Sequence, residues 1–73
     1  MKTQRVAVNS AAIQSVGYND RKDKLHIVFT NGSRYVYNDV PVIIALQLVA
    51  ADSIGKFFNR NIRGIYSFTR KGA

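Results

Sequence analysis

The hydrophobic pattern of this chain changes its period once, near residue 41. Between residues 13 and 37, apolar and polar side chains alternate in three short runs, which is the two-residue period of half-buried β-strands. After Pro41 the apolar residues continue without a breaker, and proline suits the first turn of a helix but cannot donate to a sheet. The pattern predicts an α+β domain: a small antiparallel β-sheet of three to four strands with two helices packed on one face.

The central hairpin is predicted to turn at Asn31-Gly32. This dipeptide is typical of a two-residue type I′ loop, in which both residues need a positive φ. Such a loop places Val28 opposite Tyr35 and His26 opposite Tyr37. A slip of one residue would exchange the two faces of the strand. On this register the core face carries Leu25, Ile27, Phe29 and Val36.

The preceding strand, Ile13 to Asn19, is predicted to pair with the next one across a polar turn. If Asn19 pairs with Lys24, the side chains of Val16 and Tyr18 join the same core face, a consistency that supports the assignment. Residues 1–9 alternate weakly, and we expect either an edge strand or an arm there.

Two helices are predicted after Pro41. Residues 42–51 contain one polar residue, so we expect a largely buried helix. Asp52 or Ser53 would cap a second helix, and Gly64 would end it. Residues 65–69 would form a last strand, and residues 70–73 a basic tail.

The second predicted helix is amphipathic. At about 100° per residue its apolar and basic side chains fall on opposite arcs. The apolar arc would pack on the sheet and leave the basic arc free for a partner. The apolar arc contains Ile54, Phe57, Phe58 and Ile62, and the basic arc contains Lys56, Arg60 and Arg63.

The net charge of the chain predicts that its binding partner is anionic. The 73 residues include 11 Lys+Arg against 4 Asp+Glu, a net charge of +7, and the sequence pI is about 10.3. All the acids are aspartates in turns or before helices, so the positive charge should attract an anionic partner. The alternative is a solvated basic surface without a partner.

The chain has no cysteine for a disulfide, and its longest apolar run is far below the roughly 20 residues of a membrane span. We expect a soluble cytoplasmic monomer.

Catalytic, cofactor and metal sites are not expected. One histidine, no cysteine and no glutamate leave no set of nucleophile, base and orienting group. Ser53 and Lys56 have the S-x-x-K spacing of some acyl enzymes, but the companion motifs are absent and a capping serine fits better. His26 with scattered aspartates does not provide the three or four ligands that a metal needs.

An aromatic patch of Tyr35, Tyr37, His26 and Val28 is predicted on the outer face of the sheet. Within a basic surface, such a patch is one way to stack single-stranded bases. Two alternatives stay open, namely packing of the tyrosines against a helix or terminal segment and contact with a protein. The candidate residues for binding a partner or nucleic acid are Lys56, Arg60, Arg63, Arg34, Tyr35, Tyr37, Arg5, Arg70 and Lys71.

Several motifs resemble one known family. Over about residues 8–66 the chain is similar to the KTSC domain, named after lysyl-tRNA synthetases that carry it at their C-terminus; many members are free-standing bacterial proteins. The resemblance implies a single domain over residues 1–73, and RNA binding is the function usually suggested for the family. At Ala11 members often carry a second serine. The motifs are Ser10-Ala11-Ala12-Ile13, Val16-Gly17-Tyr18, Gly32, Tyr35-x-Tyr37, Val40-Pro41, Ala51-x-Ser53-x-Gly55-Lys56-x-Phe58-Asn59 and Ile62-Arg63.

By length and overall look, the chain also resembles phage-encoded transcription regulators that bind bacterial RNA polymerase. This resemblance implies attachment near the amino-terminal part of the β′ subunit, inhibition of initiation by displacement of σ, and read-through of terminators. A basic domain at the RNA exit channel would also touch nascent RNA. A transcription regulator is therefore the leading hypothesis, followed by a general RNA-binding module and an enzyme accessory domain.

Overall fold

The computed structural model describes residues 4–7 and 11–71, and the first of these ranges is described by its backbone alone. The strands form one antiparallel sheet in the order β1-β2-β3-β4-β5. The predicted α+β class is confirmed, with one strand more than the predicted maximum. The elements are β1 (Gln4–Ala7), β2 (Ile13–Asn19), β3 (Lys24–Phe29), β4 (Arg34–Tyr37), α1 (Val42–Ala50), α2 (Ile54–Asn61) and β5 (Phe68–Lys71).

The first two strand pairs agree with the sequence. β1 pairs with β2 at the edge of the sheet, so the edge-strand alternative is confirmed for residues 4–7, whereas residues 1–3 and 8–10 lie outside the described chain. β2 pairs with β3 in the predicted register, with Tyr18 opposite Leu25 and Val16 opposite Ile27. Asp23 closes the turn between them at φ 54°, a left-handed conformation that aspartate tolerates better than most residues.

The central hairpin differs from the prediction by one residue. The loop contains Thr30, Asn31 and Gly32, because the Phe29 N–H donates to the Ser33 carbonyl at 2.9 Å. Within the Asn31-Gly32 pair only the glycine has a positive φ, 93°, so the type I′ turn is wrong. Instead the structure has a three-residue loop that ends in a left-handed glycine, another common hairpin connection. The Asn31 Oδ1 accepts the Ser33 N–H at 2.9 Å and holds this geometry.

This slip exchanges the faces of β4. Tyr37 lies opposite Leu25, Tyr35 lies opposite Ile27, and Val36 lies opposite His26. The tyrosines are therefore on the core face and Val36 is on the other, so the predicted aromatic patch with His26 and Val28 is wrong.

The core lies between one face of the sheet and the two helices. Complete burial of an aliphatic side chain contributes roughly 1.5–3 kcal/mol to stability. The fully buried side chains of the core therefore make the largest hydrophobic contribution to the unfolding free energy. The side chains below 2% exposure are Ile13, Leu25, Ile27, Val40, Leu48 and Ile62.

Helix α1 is less buried than the sequence predicted. Only Ala45 and Leu48 are buried within it. The prediction of a largely buried helix is wrong, because a continuous apolar run does not reveal how much of a helix its neighbours cover. The side chains on its exposed apolar side are Val42, Ile43, Leu46 and Val49, which are 41–57% exposed.

Helix α2 begins as predicted. The Ser53 hydroxyl accepts the Lys56 N–H at 3.4 Å, which confirms Ser53 as the N-cap. Ile54 and Phe58 are buried against the core, whereas Phe57 is only partly buried. The helix ends at Asn61 with Ile62 as its C-cap, earlier than the predicted stop at Gly64, which adopts a positive φ of 79° in the turn that follows.

Strand β5 begins three residues later than predicted. It places Phe68 opposite Tyr37 and Arg70 opposite Tyr35. The prediction of a strand at 65–69 and a tail at 70–73 is therefore wrong for residues 65–67 and 70–71, and residues 72–73 lie outside the described chain. The Asn38 N–H donates to the Ser67 carbonyl at 2.9 Å immediately before this pairing starts.

Candidate functional site

An aromatic cavity of about 410 Å³ lies between α2 and the core face of the sheet. This volume is within the range of small-molecule sites. Its aromatic lining consists of Phe29, Tyr35, Tyr37, Phe58 and Phe68, and its polar lining includes Asn31, Ser33, Asn59 and Arg63.

The strand registers build this aromatic cavity. In the observed register of the central hairpin, Tyr35 and Tyr37 lie on the face of the sheet that packs against α2. Because β5 starts at Phe68, this ring lies opposite Tyr37. Helix α2 presents Gly55 and Phe58 to the same space. A Cβ added at Gly55 would meet no heavy atom within 4 Å beyond its chain neighbours and the backbone of its own helix, so this part of the wall is open.

The rings form a connected cluster. The centroids of Tyr35 and Tyr37 are 6.2 Å apart with an interplanar angle of 17°, and Tyr37 meets Phe58 edge-on at 5.5 Å. Phe29 meets Tyr35 edge-on at 5.3 Å, and Phe68 lies 5.0 Å from Tyr35. Aromatic pairs of this kind contribute about 0.5–1.5 kcal/mol each beyond their buried area. The walls are therefore held in place without a ligand.

Exposure divides the rings into floor and rim. Tyr37 and Phe58 are 3% and 4% exposed, whereas Phe68 is 53% exposed. Base stacking on Tyr37, as the sequence suggested, is thus ruled out by its burial, and the packing alternative applies to this tyrosine. Phe68 offers the accessible ring surface.

Two guanidinium groups lie at the aromatic cavity. Arg63 lines it, and the Arg70 guanidinium carbon is 6.0 Å from the centre of the Tyr35 ring, within the range of a cation–π contact. Burial raises the pKa of the Tyr37 hydroxyl, Tyr35 adds to this, and the charge of Arg63 opposes it. The Tyr37 hydroxyl, which is neutral at pH 7 even with the ordinary tyrosine pKa of 10.0, therefore stays protonated to a higher pH than usual.

Lys56 and Arg60 lie apart from the aromatic cavity on the exposed side of α2. Their i, i+4 spacing makes them neighbours on one helix face. Arg63 follows the end of α2 and lines the cavity instead. Within residues 11–71 none of these three cations forms an ion pair.

A third surface, called the open face below, is the face of the sheet opposite the helices, on which no described helix packs. Two grooves of about 230 and 280 Å³ meet there at His26, Val36 and Lys71. No aspartate is among their described lining residues. The sheet register also places Arg5 opposite Gly17, in the row of His26. The Lys and Arg side chains that line the grooves are Lys22, Lys24, Arg34 and Lys71.

The structure thus divides the predicted binding residues among three places. The aromatic cavity is lined by Tyr35, Tyr37 and Arg63, and Arg70 lies beside Tyr35. The open face contains Arg34 and Lys71. The exposed side of α2 contains Lys56 and Arg60. Among the other lining residues that sequence reasoning missed, four provide an aromatic ring or the Asn59 amide. The α2 pattern marked one of them, Phe58, as apolar, but no sequence signal placed the others beside the tyrosines. These four residues are Phe29, Phe58, Asn59 and Phe68.

The motifs that carry the family resemblance meet at the aromatic cavity. Tyr35 and Tyr37 come from the central motif, whereas Gly55, Phe58 and Asn59 come from the motif that starts α2. Arg63 belongs to the last motif. These segments are distant in sequence, and their convergence makes the cavity the strongest candidate site. Among the described residues there is no group of acids or histidines that could hold a metal, and no helix there is long and apolar enough to cross a bilayer.

Comparisons with known proteins agree on one family. Residues 9–66 match the profile of the KTSC domain. An uncharacterised protein of Stutzerimonas stutzeri is 37% identical over 57 residues, 78% of this chain and 80% of that protein. A protein of Tsukamurella paurometabola is 40% identical over 52 residues, 71% of this chain and 78% of that protein. The crystal structure of a KTSC domain protein from Yersinia pestis matches this fold with a TM-score of 0.91 at 33% identity, covering 97% of this chain and 100% of that chain.

Proposed function

This chain belongs to the KTSC domain family, and on that premise we propose that it is a non-catalytic transcription regulator of phage type that binds bacterial RNA polymerase. In this proposal it acts as a monomer in the cytoplasm of the bacterial host. It inhibits initiation by displacing σ and permits read-through of terminators. The proposed contact is the amino-terminal region of the β′ subunit, with nascent RNA as a further ligand.

The observation that supports this proposal is unpaired positive charge on α2. Lys56 and Arg60 are exposed, and no described aspartate pairs with either of them. With a net charge of +7, the chain has a surface that would steer it toward an acidic protein surface. Such steering accelerates association and weakens as salt is added.

The test is binding of the full chain to purified RNA polymerase core enzyme. Lys56→Glu and Arg60→Glu should slow association and reduce its dependence on salt, because they reverse charge on the proposed contact. Arg21→Glu makes the same type of change in the exposed turn between β2 and β3, and it should have a smaller effect. The polymerase proposal is wrong if the core enzyme does not bind at low salt. Equal losses for Arg60→Glu and Arg21→Glu would overturn the assignment to α2.

A second candidate function is a general RNA-binding module, and it is favoured by the open face of the sheet. Arg34 and Lys71 lie opposite each other on neighbouring strands, and the described lining of the grooves contains no carboxylate to repel phosphates. Arg34→Ala and Lys71→Ala should each weaken binding of single-stranded RNA and lower the salt slope by about 0.7 per phosphate contact. RNA binding no tighter than millimolar at low salt would reject this function.

A further inference from the structure

The aromatic cavity combines chemical features that neither proposed function uses. Five rings line it, Arg63 contributes a guanidinium, and no carboxylate is among its described lining residues. Aromatic cages that bind organic cations use the negative faces of their rings. Here Arg63 and the neighbouring Arg70 would repel a cation, so the ligand that fits is neutral or anionic.

The aromatic rings of the lining favour a flat ligand over an aliphatic one. Phe68 presents a half-exposed ring at the rim, and a planar heterocycle stacks on such a surface with about 1–3 kcal/mol, a 5- to 150-fold effect on affinity. Asn59 lines the same space and can donate and accept hydrogen bonds at the edge of a heterocycle. No described residue uses its amide. The Asn31 Oδ1 already accepts the Ser33 N–H, so Asn31 offers its amide N–H donors and one remaining lone pair.

We propose that the aromatic cavity binds one nucleotide. Its base stacks on the exposed side of the Phe68 ring at the rim of the cavity, its edge meets the Asn59 amide, and its phosphate contacts the Arg63 guanidinium. Guanidinium groups pair with phosphate through strong, charge-assisted hydrogen bonds. A free nucleotide and an unpaired nucleotide within an RNA strand share this chemistry.

Nucleotide binding in the aromatic cavity would be independent of both proposed functions. The aromatic cavity lies on the helix side of the sheet and the two grooves lie on the other side, and Tyr35 is the one described residue that lines both the cavity and a groove. The α2 cations used for polymerase docking do not line the cavity. Loss of polymerase binding or of open-face RNA binding would therefore leave nucleotide binding in the cavity unchanged.

The experiment is an NMR titration of the ¹⁵N-labelled full chain with four probes. These are AMP, adenosine, ribose 5-phosphate and a short oligoadenylate. AMP should shift the amide signals of Asn59, Arg63 and Phe68, and it should bind at least about tenfold more tightly than adenosine or ribose 5-phosphate, because each lacks one of the two recognised groups. If oligoadenylate binds more tightly than AMP, the natural ligand is a nucleotide within an RNA strand. If the two bind with equal affinity, the natural ligand is a free nucleotide.

Variants assign the contacts. Arg63→Ala should weaken AMP binding at least about tenfold, whereas Arg21→Ala, an identical substitution in the turn between β2 and β3, should not change it. Phe68→Ala should weaken AMP about 5- to 150-fold, and Ile65→Ala removes an equally exposed apolar side chain as its control. All four residues are exposed, so the variants are expected to fold, and the amide spectra without ligand will verify this.

Several outcomes would overturn the proposal. If AMP binds no more tightly than ribose 5-phosphate, the aromatic rings do not bind the base. Equal affinities of Arg63→Ala and Arg21→Ala would remove the phosphate contact. Shifts confined to the open face, with either AMP or oligoadenylate, would show that the cavity does not take nucleotides.

Discussion

Tyr18 shows how one side chain joins two parts of this fold. Its hydroxyl lies 2.6 Å from the Val40 carbonyl oxygen and 3.1 Å from Asp23 Oδ1. It thereby connects the turn between β2 and β3 with the segment that leads into α1. Burial, followed by the hydrogen bond to Asp23 and its charge, raises the pKa of Tyr18 from 10.0 to about 12. The neutral hydroxyl is therefore the form that stabilises the folded protein.

Tyr18→Phe should lower the unfolding free energy at neutral pH by about 1 kcal/mol, the usual net contribution of one hydrogen bond. A raised folded-state pKa means that the contribution is complete below pH 10 and disappears as the pH rises through about 12. The wild type should thus lose more stability than Tyr18→Phe between pH 10 and pH 12. Urea unfolding at several pH values measures this, with Tyr66→Phe as the control. Parallel stability curves for wild type and Tyr18→Phe would contradict the assignment.

At the scale of elements, α2 shows which ring holds the helix to the core. Phe58 is 4% exposed and contacts both Phe29 and Tyr37, whereas Phe57 is only partly buried. Phe58→Ala should lower the unfolding free energy by about 3–5 kcal/mol, enough to unfold most of so small a domain. Phe57→Ala should have a clearly smaller effect. Denaturant unfolding compares the two, and the reverse order would mean that α2 is rotated about its axis.

Helix α1 offers a second test between neighbouring positions. Leu48 is fully buried, and Leu46 is 57% exposed. Leu48→Ala should lower the unfolding free energy by about 2–5 kcal/mol, whereas Leu46→Gln, which keeps a good helix former, should change it by less than about 0.5 kcal/mol. Thermal or urea unfolding measures both. A large loss for Leu46→Gln would indicate that another part of the protein covers this side chain.

The sequence predicts most elements of this fold but not the site. The α+β class, the β2–β3 register, the Ser53 cap and the apolar arc of α2 follow from local periodicity and turn chemistry. The cavity depends on the choice between two hairpin loops that both use Asn31-Gly32. These loops differ by one residue and place Tyr35 and Tyr37 on opposite faces. The position of β5 depends on pairing with β4 across two intervening helices, which local patterns do not encode.

At the scale of the whole molecule, positive charge is distributed without internal compensation. The net charge is +7, and no lysine or arginine within residues 11–71 forms an ion pair with an aspartate. The cations occupy both faces of the sheet and the exposed side of α2. Repulsion among like charges destabilises a compact state, so the fold is stabilised by its apolar core against its own electrostatics.

Moderate salt should consequently stabilise this protein. Screening of repulsion should raise the unfolding free energy by about 1 kcal/mol or less between 0.01 M and 0.15 M sodium chloride, the scale of interactions between exposed charges. Arg21→Gln, which removes one charge from an exposed turn, should reduce this response. Urea unfolding at several salt concentrations measures it. A decrease in stability with salt would show that attractive pairs dominate.

Within the described part of the chain, strand β5 pairs with β4 alone, yet it carries Phe68 at the rim of the aromatic cavity and Arg70 over Tyr35. Peeling of this short edge strand breaks its pairing with β4 and leaves the fully buried side chains of β2, β3 and the helices in place. Such local fraying requires far less free energy than global unfolding, so β5 amides should exchange with deuterium long before those of β3. A ligand that contacts Phe68 would slow the exchange of the β5 amides. The exchange rate of this strand would therefore measure directly whether the cavity is occupied.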